Sequence, residues 1–255
     1  MNSVRTLVLR APGTNCDAET AYALKLAGAE PELVFIGELL SGAKLLADYG
    51  LLVIPGGFVY GDDLGAGKVL ANELRLRLGE ALARFTETGG LVLGICNGFQ
   101  VLVKLGLLPG PLDAPQRVTL ANNDSGRFEC RWTYLSVNQQ SQCVFTRGIE
   151  RLYLPVAHGE GKLVAGPDEL RRLNAVVYYV DECGNRGAGY PDNPSGTMDD
   201  IAGICNDSGR VFALMPHPER HVRRVQHPRW TRGDTNEPGD GLVIFKNAVA
   251  WVRGL

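Results

Sequence analysis

In the stretch LVLGICNGFQ, residues 91–100, Cys96 stands between Gly94 and Gly98 where an apolar run gives way to a helical pattern. A structural cysteine packs as a small hydrophobe and needs no glycine on either side. The G-x-C-x-G form instead matches a nucleophile elbow, a tight strand-to-helix turn in which side chains at the flanking positions would collide with the adjoining strand and helix. The helix behind it offers free N–H groups and a positive dipole end, which favour the attacking thiolate. The chemistry this predicts is attack on a carbonyl, with the Asn97 N–H as one oxyanion donor. A second donor is expected from a neighbouring strand end, where Ile54-Pro-Gly-Gly57 exposes glycine backbone.

A cysteine nucleophile needs a base that a third group orients. Two segments have a histidine and a carboxylate two residues apart: His158-Gly-Glu160 and His217-Pro-Glu219. In extended chain such residues share a face. Prolines at 216 and 218 stiffen the second segment, whereas Gly159 leaves the first undefined, so stiffness favours His217 with Glu219. His221 and His227, in an arginine-rich stretch, are expected at the solvated surface. Cys16, Cys130, Cys143, Cys183 and Cys205 are expected to be core cysteines.

The elements that must hold these groups alternate over the first hundred residues. Strands are predicted at 6–10, 33–36, 51–54 and 91–95, and helices at 17–27, 38–47, 69–86 and 97–105. That rhythm implies an α/β fold, a mostly parallel sheet with helices on both faces and chemistry at the carboxyl ends of its strands. Beyond Pro109 the pattern changes to paired strands within 118–137, 152–156 and 176–180. A loop at 184–198, strands at 201–205 and 211–215 and a helix at 241–252 follow. One domain over 1–255, with a mixed-strand extension, fits this order.

The totals exclude several classes. The chain has 255 residues, 45% hydrophobic and 21% charged, with a formal charge of -2. Nothing in this balance points to nucleic acid or an anionic membrane. No apolar run reaches the roughly 18 residues of a membrane span, and the N-terminus lacks a signal-peptide pattern, so a cytoplasmic protein is expected. The cysteines form no C-x-x-C and no spacing with histidines that suggests a metal. GAGK at 65–68 fails as a phosphate loop, because Asp62 and Val69 stand where that motif needs Gly and Ser or Thr.

With G-I-C-N-G-F-Q, P-G-G-F-x-Y-G-D and M-P-H-P-E-R in this order, the sequence resembles the class I glutamine amidotransferases, which have a flavodoxin-like fold. More narrowly it resembles the glutaminase-subunit family of phosphoribosylformylglycinamidine synthase. The stretches NDSGRFE at 123–129, AHGEG at 157–161 and DDIAGICN at 199–206 carry the narrower match. The resemblance implies that Cys96 attacks the glutamine side-chain amide, that His217 moves protons and that Glu219 orients His217. It implies N–H donors at Gly57 and Asn97, and a glutamine pocket lined in part by Gln100, Asn123, Ser125 and Phe128. It implies no cofactor in this subunit, with ATP and Mg expected in a larger synthetase partner and a small third subunit completing the complex. The segment His158 to Gly161 is expected to contact the synthetase. After PGGF the commoner family pattern has Ser, Tyr and Arg where this chain has Val59, Asp63 and Gly65, and Arg223 to Gly239 exceeds the shorter members.

Overall fold

The computed structural model describes residues 3–112, 114–232 and 237–254. Its first half runs β1 (Val4–Arg10), α1 (Asp17–Leu26), β2 (Ala29–Phe35), α2 (Ile36–Leu40), β3 (Leu51–Ile54), α3 (Lys68–Glu87), β4 (Leu91–Ile95) and α4 (Asn97–Leu105). The second half runs β5 (Val118–Ala121), β6 (Glu129–Val137), β7 (Arg151–His158), β8 (Lys162–Ala165), α5 (Pro167–Arg172), β9 (Asn174–Val180), β10 (Ile201–Cys205), β11 (Val211–Leu214) and α6 (Leu242–Val252).

Nine strands form one sheet in the order β2-β1-β3-β4-β11-β10-β9-β6-β7. β2, β1, β3, β4 and β11 are parallel. From β11 outward through β10, β9, β6 and β7 every pairing is antiparallel. The predicted mixed sheet is therefore present, with its antiparallel strands on one side. α1 packs with α6, and α3 with α4. Right-handed crossovers leaving β1 and β3 in opposite directions put these pairs on opposite faces.

Burial explains the sequence patterns. β3 and β4 are buried at every position, as strands covered on both faces should be, and read as unbroken apolar runs. β6 and β7 alternate because one face is only partly covered. β2 lies at the sheet edge, where Pro31 is tolerated.

Two expectations change, and two elements had no counterpart in the sequence reading. The helix predicted over 38–47 stops at Leu40, since Gly42 at φ 76 takes the chain out of helical geometry; a single 3-10 turn follows at Leu46–Asp48. β8 pairs with β5 in a separate two-stranded sheet, and α5 carries no buried residue, so neither left a hydrophobic period to read. Cys130 and Cys183 are exposed rather than core. Cys130 lies in a strand, but on its outward face.

Candidate active site

The carboxyl ends of β1, β3, β4 and β11 converge where the crossovers of the parallel strands diverge, the usual place for a site in such a sheet. Cys96 follows β4 with φ 51 and ψ -105, a conformation that costs on the order of 1–3 kcal/mol for a non-glycine residue. The surroundings enforce it. Its N–H donates to the Leu214 carbonyl at 2.9 Å, and its carbonyl accepts from the N–H groups of Phe99 and Gln100 at 2.9 and 3.2 Å. A Cβ on Gly98 would stand 1.9 Å from the Ile54 oxygen of β3, and one on Gly94 would stand 2.8 Å from the Gly98 oxygen of the following helix. The Cys96 sulfur lies 3.5 Å from the Ala157 carbonyl oxygen of β7.

The segment after β11 crosses to the opposite edge of the site. The His217 N–H donates to the Pro155 carbonyl of β7 at 2.8 Å, and the backbone is extended at His217. From Pro218 it tightens into a 3-10 turn, so the two side chains meet by a turn rather than along one extended face. They do meet: Nδ1 of His217 and Oε1 of Glu219 are 2.6 Å apart, and both residues are buried. Burial pulls the His217 pKa down, but the Glu219 carboxylate more than offsets this. With further help from the Cys96 and Cys16 side chains, it holds the imidazole well above its ordinary value. Among the described residues, His217 Nε2 and Glu219 Oε2 have no hydrogen-bond partner.

His158 belongs to the same neighbourhood without joining this pair. Its Nδ1 lies 3.1 Å from Asn123 Oδ1, and burial, reinforced by the charge on His217, lowers its pKa to about 4. His158 is 2% exposed, so within the 158–161 segment it is not His158 that offers surface to a partner. Gly159 and Glu160 are partly exposed.

The N-terminal turn shapes the PGG loop. Asn15 and Cys16 donate their N–H groups to the Gly56 carbonyl at 3.4 and 3.2 Å, and the Phe58 N–H donates to Gly13 at 2.9 Å. Gly57 has φ 158, extended backbone, and lies so close to Gly13 that a Cβ would be 2.7 Å from the Gly13 oxygen. Among the described residues, the Gly57 N–H is donated to no other group, and the Asn97 N–H, first in α4, has no intrahelical acceptor.

A cavity of about 370 Å³ opens beside Cys96, with Gly57, Gln100, Phe128, His158 and Glu160 in its wall. Of the expected pocket residues, Gln100 and Phe128 line it. Asn123 sits behind the wall, where its amide donates to the carbonyls of Arg127 and His158 and accepts from the Gly161 N–H. Ser125 caps a turn by accepting from the Arg127 N–H at 3.3 Å. Gln100 donates to the Glu160 carbonyl at 2.6 Å and accepts from Asn97 at 2.8 Å, which braces the wall. Asp62, which the sequence showed only as a mismatch to the phosphate loop and the end of the PGGF motif, accepts from the Asn97 amide at 3.1 Å and from the Gly67 N–H at 3.3 Å. A larger hollow of about 1010 Å³ at the amino ends of β3 and β4, walled by Leu46, Tyr49, Phe85 and Trp251, contains none of the nucleophile, base and orienter set.

Donor atoms of Cys16, His217 and Glu219 lie within 4.8 Å of one another, close enough to suggest a metal. Arg220 already donates to the Cys16 sulfur at 3.1 Å, and His217 and Glu219 are bonded to each other. A divalent ion would have to displace that hydrogen bond beside a fixed cation, so the donor set does not suit one.

His221 corrects another expectation. It is buried, its Nδ1 lies 2.8 Å from the Tyr153 carbonyl oxygen, and its ring meets Trp132 edge-on at 5.1 Å. The His227 ring lies tilted against Trp132 and Tyr153 at 5.6 and 5.2 Å between centroids. The first part of the 223–239 stretch thus covers the outer face of β6 and β7; residues 233–236 lie outside the described residues.

A strained cysteine and a buried histidine–carboxylate pair thus meet on an open α/β sheet, and residues 3–252 match the CobB/CobQ-like glutamine amidotransferase domain. The chain belongs to that family and, within it, to the phosphoribosylformylglycinamidine synthase subunit PurQ family. It is 63% identical to the subunit of that name from Dehalococcoides mccartyi over 99% of both chains. It is 43% identical to the one from Methanococcus maripaludis over 97% of both. Among solved structures, a chain of PurLQS from Thermotoga maritima matches with a TM-score of 0.76 and 33% identity, covering 98% of this chain and 100% of that one. A glutamine amidotransferase from Thermotoga maritima, at 16% identity and a TM-score of 0.56 over 99% of both chains, shares the fold.

Proposed function

We propose that this chain is the glutaminase subunit of phosphoribosylformylglycinamidine synthase, with Cys96 as its nucleophile. The Cys96 thiolate attacks the side-chain carbonyl carbon of glutamine. The oxyanion is received by the N–H groups of Gly57 and Asn97, donors of a kind each worth on the order of 3 kcal/mol of barrier. His217, protonated and held by Glu219, gives its proton to the departing nitrogen; ammonia leaves and a glutamyl thioester remains. The neutral imidazole then takes a proton from water as the water attacks the thioester, and glutamate and the thiolate are released.

One observation carries this reading: a strained, cavity-facing cysteine shares its site with a buried histidine bonded to a carboxylate at 2.6 Å. Ammonia passes to a larger synthetase subunit, which holds ATP and Mg and converts formylglycinamide ribonucleotide to formylglycinamidine ribonucleotide. A small third subunit completes the complex. The likeness to a PurLQS chain supports these partners. We read residues 1–255 as one amidotransferase domain, supported by the single nine-stranded sheet that draws on both halves of the sequence. We place the chain in the cytoplasm; among the described residues no helix is long and apolar enough to cross a membrane. The test is glutamate release from glutamine, with and without the synthetase: weak activity alone, stimulation by the partner and loss in Cys96→Ala are expected. Vigorous peptide hydrolysis without the partner would point to a peptidase instead.

A further inference from the structure

Arg220 follows Glu219 directly in the chain, and Glu219 Oε2 is buried without a hydrogen-bond partner among the described residues. A guanidinium beside an unfilled carboxylate oxygen would ordinarily close on it as a bidentate pair. Here it does not. Arg220 Nη2 donates to the Cys16 sulfur at 3.1 Å, and its Nε donates to Glu19 of α1 at 2.9 Å.

Cys16 is placed to do this by its backbone and its packing. Its N–H is tied to the Gly56 carbonyl, and its sulfur is 3.2 Å from Asn15 Oδ1, which takes the thiol proton. A Cβ on Gly56 would stand 3.0 Å from that sulfur and 2.8 Å from His217 Cε1, so the bare glycine lets the sulfur and the imidazole ring come together. Burial keeps Cys16 a neutral thiol. It is therefore poorly suited to act as nucleophile or base, although it lies against the same histidine.

We propose that Cys16 is a positioning residue for His217: its sulfur, with Glu19 beside it, holds the Arg220 guanidinium on α1 and so reserves the Glu219 carboxylate for the imidazole. This rests on the reading of Cys96 and His217 as the reacting pair. Without the sulfur, Arg220 turns toward Glu219, neutralises part of the carboxylate's field and weakens its hold on the imidazolium proton. The charged and titratable groups around the ring are Cys16 and Arg220 from the α1 side, Cys96 from the elbow, His158 from β7 and Glu219 itself. Of these, Arg220 is the one that removal of the sulfur releases.

The test is the pH dependence of Cys96 alkylation by iodoacetamide in the full chain, followed on the Cys96 peptide by mass spectrometry. In Cys16→Ala the upper inflection, where the imidazolium loses its proton, falls by about one pH unit, a tenfold loss of proton affinity. Adding Arg220→Ala recovers most of the shift, because the rival cation is gone and only the sulfur's own smaller effect on the ring remains lost. Glu19→Gln, a change in a partly exposed side chain that leaves the core intact, shifts it in the same direction by less. An inflection unmoved in both Cys16→Ala and Glu19→Gln overturns the proposal, and so does a shift as large in Cys16→Ala/Arg220→Ala as in Cys16→Ala. The readout uses no glutamine, so absence of glutamate release would count against the glutaminase reading alone.

Discussion

His158-Gly-Glu160 and His217-Pro-Glu219 have the same residue types at the same spacing and end differently. In the second, the imidazole and carboxylate meet at 2.6 Å. In the first they part: the ring turns inward to Asn123, while the Glu160 carboxylate reaches the Ala66 N–H at 3.3 Å and Lys104 at 3.9 Å. The ring lies over Gly161, where a Cβ would be 2.3 Å from it. Proximity in sequence therefore does not make a pair. The backbone course decides, fixed at His217 by two prolines and by a hydrogen bond to β7. The two histidines are both buried, yet a carboxylate raises the pKa of one and burial without a carboxylate partner lowers that of the other to about 4.

That contrast can be broken by mutation. His217→Ala should lower kcat for glutamate formation by about 10²–10⁴-fold, the range for losing a general acid–base group, whereas His158→Ala should cost less than about tenfold. Equal losses would erase the distinction. Glu219→Gln keeps a hydrogen-bond acceptor but removes the charge, and should cost about 10²-fold with a lowered upper limb in the pH–rate profile. Glu160→Gln should leave kcat near wild type.

Stability against pH sharpens the same comparison. The folded-state pKa of His158, about 4, lies below its unfolded value near 6.5, so between these pH values the unfolded chain binds more protons. Stability then falls on acidification through this window, by about 3 kcal/mol in total from this group. His217 has the opposite sign: its raised folded pKa contributes stability that is present below pH 6.5 and lost as pH rises through the folded value. Urea unfolding of wild type and His158→Gln at pH 7 and pH 5 checks this; the variant should lose less on acidification. Ser125→Ala, which removes only a turn cap, should stay within about 0.5 kcal/mol and leave KM unchanged.

The strands and the elbow were legible because their signals are local. β3 and β4 are buried on both faces and read as apolar runs with the expected ends, and the glycines at 94 and 98 announced a tight approach that the Ile54 and Gly98 oxygens account for. What stayed hidden was set by distant parts of the chain. His221 is buried because Trp132 and Tyr153, from strands much earlier in sequence, form its surroundings. Cys16 meets His217 and Arg220 across some two hundred residues, and a sequence window around Cys16 shows only an ordinary helix start. The family resemblance implied a pocket place for Asn123, whereas its amide holds three backbone groups behind the wall.

The central claim is that the Cys96 sulfur forms the covalent bond to substrate. Mixing the chain with glutamine and its synthetase, quenching in acid and mapping peptides by mass spectrometry tests it directly. A glutamyl adduct on the Cys96 peptide that hydroxylamine removes, with both adduct and glutamate lost in Cys96→Ala, is the expected result. An adduct on Cys16 or any other cysteine, or glutamate still released by Cys96→Ala, would contradict it.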